Sequence, residues 1–191
     1  MLIKLLSDSD KKHLLELSKL LALADKPLLW DGKTSDEFTS STDLSALSIQ
    51  EGAQERELIA ELEKSISPPS STVSLPRMMR PVDVGTRLIE ALKKYPIPKA
   101  EKPETRVQAA TTVLKEILKG KKFELPTAPK VILFELLLVA LRDGTITSVE
   151  WALLKEFQLH HQLEDFIFDD LLERAETLNQ EVSKTISIIL E

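Results

Sequence analysis

The chain has 191 residues, 42% of them hydrophobic and 29% charged, which is enough for one large domain with its own core, or two very small ones, and too apolar for wholesale disorder. The absence of cysteine excludes a disulfide framework, a thiolate zinc site and a cysteine nucleophile, and it suits a reducing compartment. A net charge of -6 argues against a nucleic-acid partner, which would ask for a basic face.

The opening Met1-Leu-Ile-Lys-Leu-Leu is too short for a secretory signal and runs straight into Ser7-Asp-Ser-Asp, so a cytoplasmic location is expected. Leu14, Leu17, Leu21 and Ala24 recur at helical spacing and predict a first helix from about Ser9 to Asp25, capped by Ser7 or Ser9 and stopped by Pro27. Residues 26–48 are rich in Ser, Thr and Asp and read as a polar loop insertion, functional or mobile. A second helix is expected from Gln50 to Ile66, with Leu58, Ile59, Leu62 and Ile66 inward. A Pro/Ser-rich linker covers 67–81.

Two middle helices follow, over Val82 to Tyr95 and from Pro103, suited to a first helical turn, to Gly120, suited to the position after a helix. The stretch from Ala128 to Arg142 is apolar nearly all round and should be the central helix. Its longest apolar run, Val131 to Leu141, contains Glu135 and falls well short of the ~20 residues of a membrane span. Thr147 and Glu150 form a capping-box signature that opens a sixth helix. Two more are expected, an acidic one from Leu163 to Leu178 and a last one running to the C-terminus. With 5% aromatic residues and no sustained alternation, no sheet is predicted. The expected fold is therefore all-α, a single bundle of about seven to eight helices spanning 1–191.

The first and fifth helices end alike. Leu20-Leu-Ala-Leu-Ala-Asp25 parallels Leu138-Val-Ala-Leu-Arg-Asp143, and Glu55-Arg-Glu-Leu-Ile-Ala-Glu-Leu62 parallels Glu150-Trp-Ala-Leu-Leu-Lys-Glu-Phe157. Asp143 precedes Glu150 by seven residues and Asp25 precedes Glu55 by thirty, so the first copy carries an insertion of 23. In the second copy, Asp143-Gly144, the apolar Ile146, the cap Thr147 and Glu150 make a tight helix-turn-helix. Gly144 supplies the permissive backbone at the helix end, and Ile146 can staple the turn to the core.

This pattern resembles the TerB-like family of tellurite-resistance and DnaJ-associated helical domains, over about residues 9–62 and 129–177. The first copy departs from the family pattern, since Lys26 stands where Gly is expected. The resemblance implies two helix-turn-helix repeats in one helical domain and a non-enzymatic accessory or scaffold role in metal or envelope stress responses, with a protein partner. It also implies acidic clusters for a divalent metal such as Ca²⁺, here Asp25 with Glu55 and Asp143 with Glu150, and hence an alternative reading as a metal sensor. Two carboxylates per repeat are too few for such an ion alone. The structural reading is that each Asp ends a helix and each Glu caps the next.

Other constellations are weaker. Gly32-Lys33-Thr34 resembles the tail of a phosphate loop, but Pro27 stands where that motif needs its first glycine. His160 or His161 could pair with Glu164 or Asp165 around a metal if one helix ran through them; a break between Leu159 and Leu163 makes a solvated polar turn the expectation. Glu164, Asp165, Asp169, Asp170 and Glu173 form an acidic face, read as solvated or, more sharply, as a contact surface for a basic protein partner. No hydrolase elbow or Ser/His/Asp pattern is found.

Overall fold

The computed structural model describes residues 2–66 and 82–190. The linker 67–81 and the side chains of Gln54, Glu55 and Ile66 lie outside the described residues. The described chain is mostly helical, with eight α-helices and one small antiparallel hairpin.

Helix α1 (Asp8–Ala24) starts at Ser7, whose hydroxyl accepts from the backbone N–H of Asp10 at 3.2 Å, and Asp8 and Asp10 place negative charge on its first turn. Helix α2 (Ala53–Ile66) lies against α1 through buried Leu58 and Leu62. Helices α3 (Val84–Leu92), α4 (Ile97–Ala100) and α5 (Pro103–Leu118) follow, with Pro103 in the first turn of α5 as its sequence predicts. Helix α6 (Ala128–Ala140) is central, packed on α1 and bordering α7 (Ser148–His160) and α8 (Asp165–Leu190). Its Ile132, Leu133 and Leu137 are wholly buried, while α5 bridges α1, α3 and α7 on the other side. Among the described residues no helix is long and apolar enough to cross a membrane.

Two expectations are corrected. The 26–48 insertion is not simply a loop, and the fold is not purely α. Strands β1 (Leu28–Trp30) and β2 (Leu47–Ile49) pair antiparallel, with Leu28 opposite Ile49 and Trp30 opposite Leu47, and Leu28, Trp30 and Leu47 are buried. After β1 the chain reverses at Asp31-Gly32, both with positive φ (54° and 74°), while Trp30 and Lys33 exchange backbone hydrogen bonds at 2.8 and 3.0 Å. That is a two-residue turn of the kind Asp-Gly favours. Trp30 then meets the edge of Phe38 at 5.4 Å.

A further correction is that α8 runs unbroken from Asp165 to Leu190 instead of dividing near Leu178. Thr177-Leu-Asn-Gln-Glu181 contains no Pro or Gly to stop it. Asn179, the residue best suited to a new cap, turns its amide outward to donate to the Leu141 carbonyl at 3.0 Å.

Candidate functional site

The turn after α6 has the conformation its sequence requires. Residues Leu141–Asp143 tighten into a 3₁₀ turn, and Gly144 sits left-handed at φ 87° with its N–H donating to the Leu141 carbonyl at 2.9 Å. Ile146 packs half-buried against the core. Thr147 Oγ1 accepts from the Glu150 N–H at 3.3 Å, and Glu150 Oε2 accepts from the Thr147 N–H at 2.8 Å, completing the capping box. Glu150 is only 9% exposed. Burial raises its pKa, the nearby Asp25 charge adds to the rise, and the Thr147 bonds and Lys26 oppose it.

The end of α1 meets this turn. Asp25 closes α1, and Lys26 Nζ lies 3.3 Å from Asp143 Oδ2 and 3.9 Å from Asp25 Oδ1. The structure thus sets two of the four candidate metal residues, Asp25 and Asp143, against one ammonium group whose charge also acts on Glu150, while the Glu55 side chain is outside the described residues. Asp25 Oδ1 is enclosed and accepts no hydrogen bond. Among the described residues, no group of three or more carboxylates and imidazoles has the geometry to hold a metal. In this arrangement Glu150 is committed to its cap, and Lys26 brings positive charge to both aspartates.

Beneath the cluster lies Arg106 of α5, 4% exposed, which sequence reasoning passed over. Its guanidinium donates to the carbonyls of Ala24 (2.8 Å) and Leu23 (3.2 Å) in the last turn of α1 and of Lys26 (2.6 Å) just beyond it. Burial pulls its pKa down to about 10, against the charges of Asp25 and Glu101, so it stays cationic at neutral pH. A cavity of about 330 Å³ opens beside it, bordered by Asp25, Glu101, Pro103 and Ser148. The clue lay in periodicity: Arg106 shares the inward stripe of Ala110, Val113 and Ile117, where a charge demands partners.

The remaining candidates fall elsewhere. Lys33 and Thr34 serve the insertion itself, Lys33 reaching the Thr39 hydroxyl at 3.4 Å and Thr34 capping a short 3₁₀ turn with Glu37. His161 is not a solvated turn residue. Its ring lies tilted against Phe157 at 4.5 Å and meets Phe123 at 5.1 Å, and its Nε2 is enclosed without a hydrogen bond. Asp165 instead accepts from Gln158 Nε2 at 2.8 Å, and that amide also donates to the Leu163 carbonyl at 3.0 Å, fixing the α7–α8 turn. Glu164, Asp165, Asp169, Asp170 and Glu173 are all exposed along the first half of α8.

Beyond that half, α8 changes character. Phe168 and Ala175 are buried against the body, whereas Leu178, Val182 and Ile186, continuing at helical spacing, are 44%, 48% and 50% exposed. Val182 and Ile186 border a groove of about 380 Å³ whose apolar floor comes from Leu58 and Leu62 of α2 and Leu138 and Val139 of α6. Carboxylates stand on its α2 side, where Arg142 lies 3.7 Å from both Glu57 and Glu61. Compared with protein-family models, with curated proteins and with solved structures, the chain matches none.

Proposed function

We propose that the protein is a non-enzymatic accessory or scaffold protein of TerB-like character, built on two helix-turn-helix repeats, that holds a basic amphipathic helix of a protein partner in the groove along α8. The observation that carries this reading is the pair Val182 and Ile186, left half-exposed beside an apolar floor. An amphipathic helix would present its own apolar face to that pair. The carboxylates of Glu57, Glu61 and Glu181 beside the groove, the acidic face from Asp169 to Glu173 and the net charge of -6 favour a partner whose polar flanks carry Lys and Arg. The family resemblance supplies the setting, a metal or envelope stress response. The sensor alternative is less well supported, because the Lys26 ammonium stands between Asp25 and Asp143 where an ion would have to sit.

The test is a binding titration of a fluorescent Leu/Lys amphipathic peptide against the full chain, with a Leu/Glu peptide of equal length as control. The basic peptide should bind, the acidic one should not, and Val182→Glu or Ile186→Glu should weaken binding by roughly tenfold or more, which corresponds to about 1.4 kcal/mol. Binding of neither peptide, or binding indifferent to both substitutions, would overturn the reading.

A further inference from the structure

Two of the chain's three histidines meet one phenylalanine, and the third lies against one of them. His13 of α1 is 5% exposed, and its ring meets the edge of Phe123 at 5.7 Å. His161, at the end of α7, meets the same ring at 5.1 Å, and exposed His160 lies 4.8 Å from His161. Phe123 belongs to the connection between α5 and α6, so the two imidazole edges hold that connection against α1 and α7. The Nε2 atoms of His13 and His161 are both enclosed and neither has a hydrogen-bond partner. A neutral ring tolerates this, but an imidazolium, which must donate from both nitrogens, does not.

The charges around the clasp set its response. Lys121, on the same connection, lies 2.7 Å from Asp10 Oδ1, donates to Ser9 Oγ at 2.9 Å, and holds its ammonium 5.3 Å from the Phe123 ring centre. Asp10, the carboxylate that would favour a charged His13, is thus already paired. A proton on His13 faces Lys121, His161 and His160; a proton on His161 faces His160 and His13. We propose that His13 and His161 form a proton-sensitive clasp on Phe123: neutral, they pin the α5–α6 connection to the bundle; protonated, they repel each other and Lys121 and release it.

Burial first, and then the neighbouring cations, push His13 down to about 4, and burial followed by His160 does the same for His161, from an ordinary value of 6.5. A released, hydrated ring regains the ordinary value. The open form therefore binds more protons than the closed one between pH 6.5 and 4, and closure weakens as pH falls through that window. At pH 4.5 the linkage amounts to roughly tens of fold per histidine in the opening equilibrium.

The experiment is amide hydrogen exchange of the full chain, followed over 119–127 at pH 6.5 and 4.5 and corrected for intrinsic exchange, together with NMR titration of the histidine ring protons. Exchange over 119–127 should rise at least about tenfold more than over the α6 core. In a His13→Phe/His161→Phe variant, which keeps aromatic edges but cannot titrate, that pH dependence should vanish. In the wild-type chain both rings should titrate well below 6.5, a measurement that stands even if the variant fails to fold. Equal acid response in the folded double variant, or His13 and His161 titrating at 6.5 or above, would overturn the clasp.

Discussion

Replacing Arg106 by methionine keeps an unbranched apolar stem of similar reach and deletes only the guanidinium, so its effect can be worked from the three bonds that group makes. Hydrogen bonds from a charged donor contribute roughly 1.5–3 kcal/mol each. Against them stands the cost of burying the charge: a fall from 12.5 to about 10 corresponds to about 3 kcal/mol, at 1.36 kcal/mol per unit. Over the three bonds the surplus is of the order of 1–6 kcal/mol. The Leu23 carbonyl keeps other donors, the N–H groups of Asp25 and Lys26, and the adjacent cavity lets water reach part of the rest, which favours the lower half of that range. Arg106→Met should therefore destabilise by about 1–3 kcal/mol, or lower Tm by about 2–12 °C for a chain of this size. Urea unfolding followed by circular dichroism measures it, with an unchanged m-value confirming that only stability moved. Arg106→Lys should recover less than half of the loss, because one ammonium cannot reach three carbonyls fanned around a helix end. A methionine variant within about 0.5 kcal/mol of wild type would refute the reasoning and mean that desolvation cancels the bonds.

Three further outcomes follow from the turn and its cluster. Gly144→Val should cost about 1–2 kcal/mol in thermal or urea unfolding, from backbone alone, since an added Cβ meets no atom within 4 Å and the strain is that of a β-branched residue at φ 87°. Thr147→Ala should cost about 1 kcal/mol through the lost cap. Its NMR signature is faster exchange of the Glu150 amide, and unchanged exchange there would count against the capping role. If Asp25 and Asp143 bind divalent metal, millimolar Ca²⁺ should raise Tm by mass action; a flat melt in the wild type and a rise in Lys26→Ala would mean that the lysine supplies the positive charge instead.

The helix boundaries were legible wherever a cap or a stop is local. Ser7, Pro103, Gly144 and the Thr147–Glu150 box each act within four residues, and the structure places all of them as their spacing predicts. The β1–β2 pair was missed because strands of three residues are too short to display alternation, and because Asp31-Gly32 turns the chain only back onto Lys33 while residues 31–46 separate the two strands. The two apolar residues that bury β1, Leu28 and Trp30, stand in a segment otherwise rich in Ser, Thr and Asp. Non-local partnerships were invisible for a different reason. Lys26 meets Asp143 across 117 positions, and Arg106 reaches the end of α1 across more than 80, so no window along the chain contains either pair. His13 and His161 share Phe123 only because α1, α7 and the α5–α6 connection are brought together by a core made of other residues.

The length of α8 has a mechanical consequence. Twenty-six residues at 1.5 Å each make a rod of about 39 Å, clamped at its first half by Phe168 and Ala175 and tethered at mid-length by Asn179. From Gln180 onward every described side chain is exposed, and Lys184–Glu181 is the ion pair stapling one turn to the next. A stretch that short is marginal as an isolated helix, so its order depends on propagation from the clamped half. The rod should behave as a cantilever, stiff at its root and compliant toward its tip. A guest seated near Asn179 meets a preformed wall, whereas one gripping Ile186 must first stiffen it, and the cost of that stiffening is subtracted from affinity and appears as faster release.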